Sequence, residues 1–197
     1  MKPLESAKTN FTIEKYGVFK LTIEHDTIRG VTPKMLLWWF KNIGGEMIYQ
    51  GKSYPNYLVW HPKDHIHWSL AGQTTEGEIG AGSYFRIVEA LNHNMNYLVD
   101  STEFVEKLDE TGIRLTRKIS GVEVFSLQHD FKQEGNNTVY KSQMMVGVNN
   151  VMGVVFNSCI RPLFFTKAMG PAWLKHNIEE VGNFEFFLPE LYNKANH

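Results

Sequence analysis

His176 and Glu180 lie four residues apart in Trp173-Leu-Lys-His176-Asn-Ile-Glu179-Glu180, a stretch that reads as helix. Residues so spaced are neighbours on one helix face, and an imidazole beside a carboxylate can grip a single cation. That face also carries Met169, Trp173, Phe184 and Phe187, so the pair is aimed at an apolar interior. A second concentration of donors occurs in Tyr57-Leu-Val-Trp-His61-Pro-Lys-Asp64-His65-Ile-His67-Trp68, with three imidazoles and one carboxylate in seven residues. Neutral imidazole is a ready zinc ligand, and a neighbouring Asp can accept its second N–H and fix the tautomer.

Three further polar side chains fall on apolar strand faces. In Tyr84-Phe-Arg-Ile-Val-Glu-Ala-Leu the period of two sets Glu89 with Phe85, Ile87 and Leu91. A carboxylate taken out of water needs a cation, a proton or strong donors. The options are a wet edge strand, a salt bridge to Arg117 and a share in a metal site. His129 is in phase with Phe125, Leu127 and Phe131, and Tyr140 with Met144 and Val146. Each is either an ordinary hydrogen-bonded core residue or a polar group offered to the same space as Glu89. If these elements converge, two His and two Glu suit zinc or another divalent first-row ion, with an open position when the site is catalytic.

Other chemistries find little support. The HExxH and G-x-S-x-G signatures are absent, and Gly77-Glu-Ile-Gly80-Ala-Gly82 lacks the strand before it and the helix after it that a phosphate loop requires. Cys159 is the single cysteine, which excludes an intrachain disulfide and reads as a small buried residue. Twenty Lys and Arg against 21 Asp and Glu leave no field for polyanions, so no nucleic acid is expected. No apolar run can cross a bilayer and Met-Lys-Pro-Leu-Glu-Ser-Ala-Lys is not a signal peptide, so no membrane association and a cytoplasmic location are expected. The 13% aromatic share suits either a Phe-rich core or a cavity for a flat organic ligand, and exposed aromatics could support a homodimer.

The elements that must position these groups form one domain over residues 1–197. Residues 11 to 25 read as one extended segment bent at Gly17, and Thr32-Pro33 starts a helix that Gly44-Gly45 ends. Residues 49 to 78 read as irregular. Strands follow at roughly 83 to 92, 95 to 107, 112 to 119, 122 to 132 and 138 to 148, separated by turn sequences that favour antiparallel hairpins. A last helix begins at Gly170-Pro171 and has Pro189 as its latest expected end. The result is an α+β, helix-grip (START-like, pollen-allergen-like) fold: a curved antiparallel sheet wrapped around a long C-terminal helix, with a cavity between them.

The string Trp60-His61-Pro62-Lys63-Asp64-His65, taken with His176-x-x-x-Glu180, resembles the 2,4-diacetylphloroglucinol hydrolase and phloretin hydrolase family over about Thr32 to Leu188. Those enzymes have a helix-grip fold and use zinc to cleave a carbon–carbon bond between an acyl group and a phenolic ring. The resemblance implies that His65, Glu89, His176 and Glu180 are metal ligands. It implies substrate contacts from Tyr57 and Tyr140, a proton-transfer role for His129, and Trp68 where the family has a substrate-side asparagine. The implied substrate is a small aromatic or phenolic ketone. The rival expectation is a helix-grip carrier of a hydrophobic small molecule with no chemistry.

Overall fold

The computed structural model describes residues 1–49, 51–73 and 77–196. Strands β1 (Lys8–Ile13) and β2 (Phe19–Glu24) pair antiparallel, so the expected single extended segment is a hairpin. Its turn places both Tyr16 (φ 61°) and Gly17 (φ 82°) in the left-handed region, which reverses the chain where a mere bend was expected. Helix α1 (Pro33–Asn42) starts as expected: Thr32 Oγ1 accepts the Met35 N–H and Pro33 opens the first turn. A small hairpin, β3 (Glu46–Tyr49) with β4 (Lys52–Pro55), leads to the short helix α2 (Asn56–Trp60) and to β5 (His65–Gly72).

The region expected to be irregular is therefore largely ordered, apart from residues 50 and 74–76, which lie outside the described residues. Strands β6 (Tyr84–Ala90), β7 (Leu98–Asp109), β8 (Gly112–Ile119), β9 (Val122–Glu134) and β10 (Asn137–Val146) follow within a few residues of the expected positions. Together they build an eight-stranded antiparallel sheet in the order β1-β2-β10-β9-β8-β7-β6-β5.

A single turn, α3 (Gly153–Val155), passes into a wider π-type turn, Phe156–Ile160, where Cys159 is exposed and not buried as expected. The last helix, α4 (Met169–Asn196), runs 28 residues and passes through Pro189. A mid-helix proline forfeits a backbone bond at a cost of about 3 kcal/mol. Packing on either side offsets it: Leu188 is fully buried and Tyr192 meets Trp38 edge-on at 5.5 Å.

Between Met169 and Phe184 the helix buries residues on several faces, including Trp173, His176, Glu180 and Gly182, because the sheet and the α1–α2 segment enclose it. Trp39 of α1 meets Trp60, Phe184 and Phe187 at 4.9 to 5.9 Å between ring centres, and Phe40 stacks on Phe131 of β9. Each buried aromatic contributes roughly 1.5–3 kcal/mol. This cluster locks α2 against α4 and sets the height at which His65 enters the interior.

Candidate metal centre

The four side chains expected to ligate an ion come together. His65 Nε2 lies 3.6 Å from Glu89 Oε1 and 3.4 Å from Glu180 Oε2. His176 Nε2 lies 3.5 Å from Glu89 Oε2 and 3.7 Å from Glu180 Oε2. Tetrahedral ligands at zinc bond lengths stand about 3.3 Å apart, close to these four separations, and His65, Glu89 and His176 offer ligand atoms that all lie within 4.8 Å of one another.

Each donor is placed by a specific local structure. His65 and Glu89 are direct partners across β5 and β6. A bulge at Ile66 shifts the register between His65 and His67, so Trp68, opposite Ile87, returns to the inner face. Glu89 is not on an edge strand and Arg117 is exposed; its company is the two imidazoles and the Tyr57 hydroxyl, which donates to Oε1 at 2.5 Å. His176 and Glu180 project from one face of α4, as the spacing of four requires.

The imidazoles are oriented for metal binding. His65 Nδ1 lies 2.7 Å from the Tyr57 carbonyl, which can only accept, so the proton is on Nδ1 and Nε2 carries the lone pair. His176 Nδ1 likewise donates to Asp64 Oδ2 at 3.0 Å. One free ring lone pair, on His65 Nε2, which is buried without a hydrogen bond among the described residues, thus converges with His176 Nε2 and the carboxyl groups of Glu89 and Glu180. The donor set fits zinc or a similar divalent ion, which on binding would displace the proton that His176 otherwise carries.

The surroundings explain the whole Trp60–His65 string. Trp60 Nε1 donates to the Glu180 carbonyl, and the trailing His61 places Nε2 3.2 Å from Glu179 while its Nδ1 accepts the Asp64 N–H. His61 is thus turned away from the cluster, stacking on the His176 ring at 4.6 Å, and His65 is the residue that points inward. Asp64 accepts three bonds, from His176 and from the Asn92 and His93 amides at 2.9 and 2.8 Å. Asn92 and His93 both have positive φ, 56° and 54°, a conformation sustained by those bonds to the buried carboxylate.

The remaining expected site residues are placed differently. Tyr57 stacks on His65 at 3.9 Å and spends its hydroxyl on Glu89, so it supports the cluster. His129 is buried, with Nδ1 2.8 Å from Ser142 Oγ, which also meets His25 Nε2 at 2.8 Å. Tyr140 is fully buried among His25, His129 and Phe131, and its hydroxyl has no partner among the described residues. Trp68 packs on Phe85 and against Gly44, lining a crevice with Ile43 and Tyr57 and not the cavity beside the cluster.

That cavity, of 70 Å³, is lined by Glu89, His176, Glu180 and the otherwise unremarked Glu103, with apolar and aromatic walls. Val99, Glu103, Phe125 and Phe165 also line an outer vestibule of 460 Å³, whose rim includes Ile119, Leu163 and Arg117. Glu103 escapes a reading of strand phase because β7 has apolar residues on both faces: Val99 and Val105 on its side, Leu98 and Phe104 on the other.

Charge and burial oppose each other here. Burial depresses His65 to about 4 against the pull of Glu89, and drives His25 and His129 to about 3. Burial also acts on His176, yet Glu89, Glu180 and Asp64 outweigh it and lift that ring to about 9. Glu180 rises to about 7 and Glu103 to about 8, both chiefly through burial.

The linkage signs follow. Below about pH 6 the unfolded chain binds more protons, because His25, His65 and His129 charge only when released, and stability falls with pH. Above about pH 6 the folded protein holds extra protons on His176, Glu180 and Glu103, and stability falls as pH rises. Thermal melts of the metal-free protein are therefore expected to peak near pH 6 and drop at pH 4 and pH 8. A melting temperature that kept rising from pH 6 to 8 would contradict these protonation states.

With the geometry in place, comparison with known proteins bears on the fold. Neither a family model nor a curated protein sequence matches the chain. Among solved structures, major latex-like protein 151 of Panax ginseng is similar with a TM-score of 0.54 at 10% identity, covering 85% of this chain and 95% of its own. A START superfamily protein from Mycobacterium smegmatis is similar with a TM-score of 0.51 at 11% identity, covering 84% and 94%. The fold is START-like. At such identities the likeness concerns architecture alone, and the START-like frame is what brings β5, β6 and α4 to one point. No helix among the described residues is long and apolar enough to cross a membrane.

Proposed function

We propose that this protein is a metal-dependent hydrolase that cleaves the bond between an acyl carbon and a phenolic ring. The observation that carries the reading is the His65–Glu89–His176–Glu180 cluster, with both imidazole Nε2 atoms and both carboxyl groups turned to one point beside a cavity. The bond type and the substrate class, an acylphloroglucinol or dihydrochalcone-like ketone, come from the resemblance of Trp60–His65 and His176-x-x-x-Glu180 to the diacetylphloroglucinol and phloretin hydrolases. A divalent ion held there would supply a Lewis acid for an acyl oxygen and would lower the pKa of water.

The chain's own groups then have defined tasks. Asp64 and the Tyr57 carbonyl hold the two rings in the ligating tautomer, and the Tyr57 hydroxyl fixes Glu89. Ile87, Phe125, Leu127 and Met144 give the space beside the cluster apolar walls.

A second reading is favoured by one observation. The vestibule is large and mostly apolar, as in a carrier that holds a hydrophobic molecule without reaction. Elemental analysis of purified protein separates the two. The hydrolase is expected to retain about one equivalent of zinc or another first-row ion and to release acetate from 2,4-diacetylphloroglucinol or the acid fragment from phloretin. Protein that neither holds nor takes up metal, yet binds such ketones intact, belongs to the carrier reading.

A further inference from the structure

Within the inner cavity Glu89, His176 and Glu180 belong to the cluster, and Glu103 is the one other titratable residue among the described lining. Glu103 stands opposite Phe85 in the β6–β7 pairing and is 5% exposed, so its carboxyl is carried inward on a strand in the middle of the sheet. It also lines the vestibule, in a wall that the two spaces share with Val99, Phe125 and Phe165. His129, to which the resemblance would give proton transfer, lines neither space and is tied to Ser142 and His25.

We infer that Glu103 is the acid–base residue of this cavity, the group that exchanges a proton with a molecule seated against the cluster; this rests on the hydrolase reading above. In that reaction the oxygen of water bonds to the acyl carbon, and the bond from acyl carbon to ring carbon breaks with its electron pair left on the ring. The ring carbon takes the proton of the Glu103 carboxyl, and the carboxylate recovers one from the water. Ketone and water become carboxylic acid and arene, with Glu103 returned to its starting form. The groups facing it are Glu89 on β6, Arg117 on β8, Ser101 on its own strand, and His176 and Glu180 across the cavity.

The test uses Co(II)-loaded wild type, Glu103→Gln, Glu103→Asp and His129→Gln. Binding of acetohydroxamate is followed in the cobalt absorption band from pH 5 to 9, and turnover is measured with 2,4-diacetylphloroglucinol. In wild type and His129→Gln the binding curve is expected to show an inflection that Glu103→Gln lacks. Turnover is expected to fall by about 10²–10⁴ in Glu103→Gln alone. Glu103→Asp, which retains a carboxyl, is expected to keep the inflection, so the comparison survives should the Gln variant not fold. An inflection unchanged in Glu103→Gln, or lost in Glu103→Asp, overturns the assignment while leaving the metal reading intact. Wild type that takes up no Co(II) overturns both.

Discussion

Replacing His176 by alanine is expected to lower affinity for a divalent ion by at least about a hundredfold and to abolish turnover, with the fold retained. The ring supplies one of the two nitrogen donors of the cluster, and His61, which stacks on it, aims Nε2 at Glu179. Glu180→Ala should act the same way, because its Oε2 is the atom that lies near both imidazoles. The measurements are competitive chelator titration for metal and circular dichroism for the fold. Undiminished metal binding in both variants would remove the cluster from the mechanism.

The second large effect is expected outside the ligands. Asp64→Asn keeps the size of the side chain but replaces one of its two accepting oxygens by an N–H group, which then faces either His176 and Asn92, bound at Oδ2, or His93, bound at Oδ1. Breaking a buried charged network of this kind costs about 3 kcal/mol or more, and losing the partner of a ligating histidine costs about 10–100-fold in metal affinity. Thermal melts should show the first loss and chelator titration the second. Because Asn92 and His93 hold positive φ against those bonds, their segment is expected to relax as well, seen as shifted amide resonances at residues 92 and 93. A variant as stable and as metal-avid as wild type would reduce Asp64 to a bystander.

How far these roles could be read beforehand differs by residue, for physical reasons. Glu89 and His129 were legible as inward because the period of two sets them in phase with Phe85 and Ile87 on β6 and with Phe125, Leu127 and Phe131 on β9. His176 and Glu180 were legible because helical spacing depends only on local geometry. Asp64 stood out as a possible partner of an imidazole, but that its partner is His176, 112 positions away, depends on the docking of α4. Glu103 was hidden by apolar residues on both faces of β7. The N-terminal hairpin was missed because Tyr16 occupies a left-handed position that its residue type disfavours. Pro189 misled in the opposite direction, since tertiary packing outweighs its local penalty.

The extra residue at Ile66 sets His65 and Trp68 on the same side of a strand although they are three positions apart. A strand without it would turn one of the two to solvent. Insertion or loss of a single codon here is thus enough to separate His65, which faces the cluster, from the indole of Trp68, and the outermost strand of such a sheet is where a descendant could change the lining of its interior while the rest of the domain stands still.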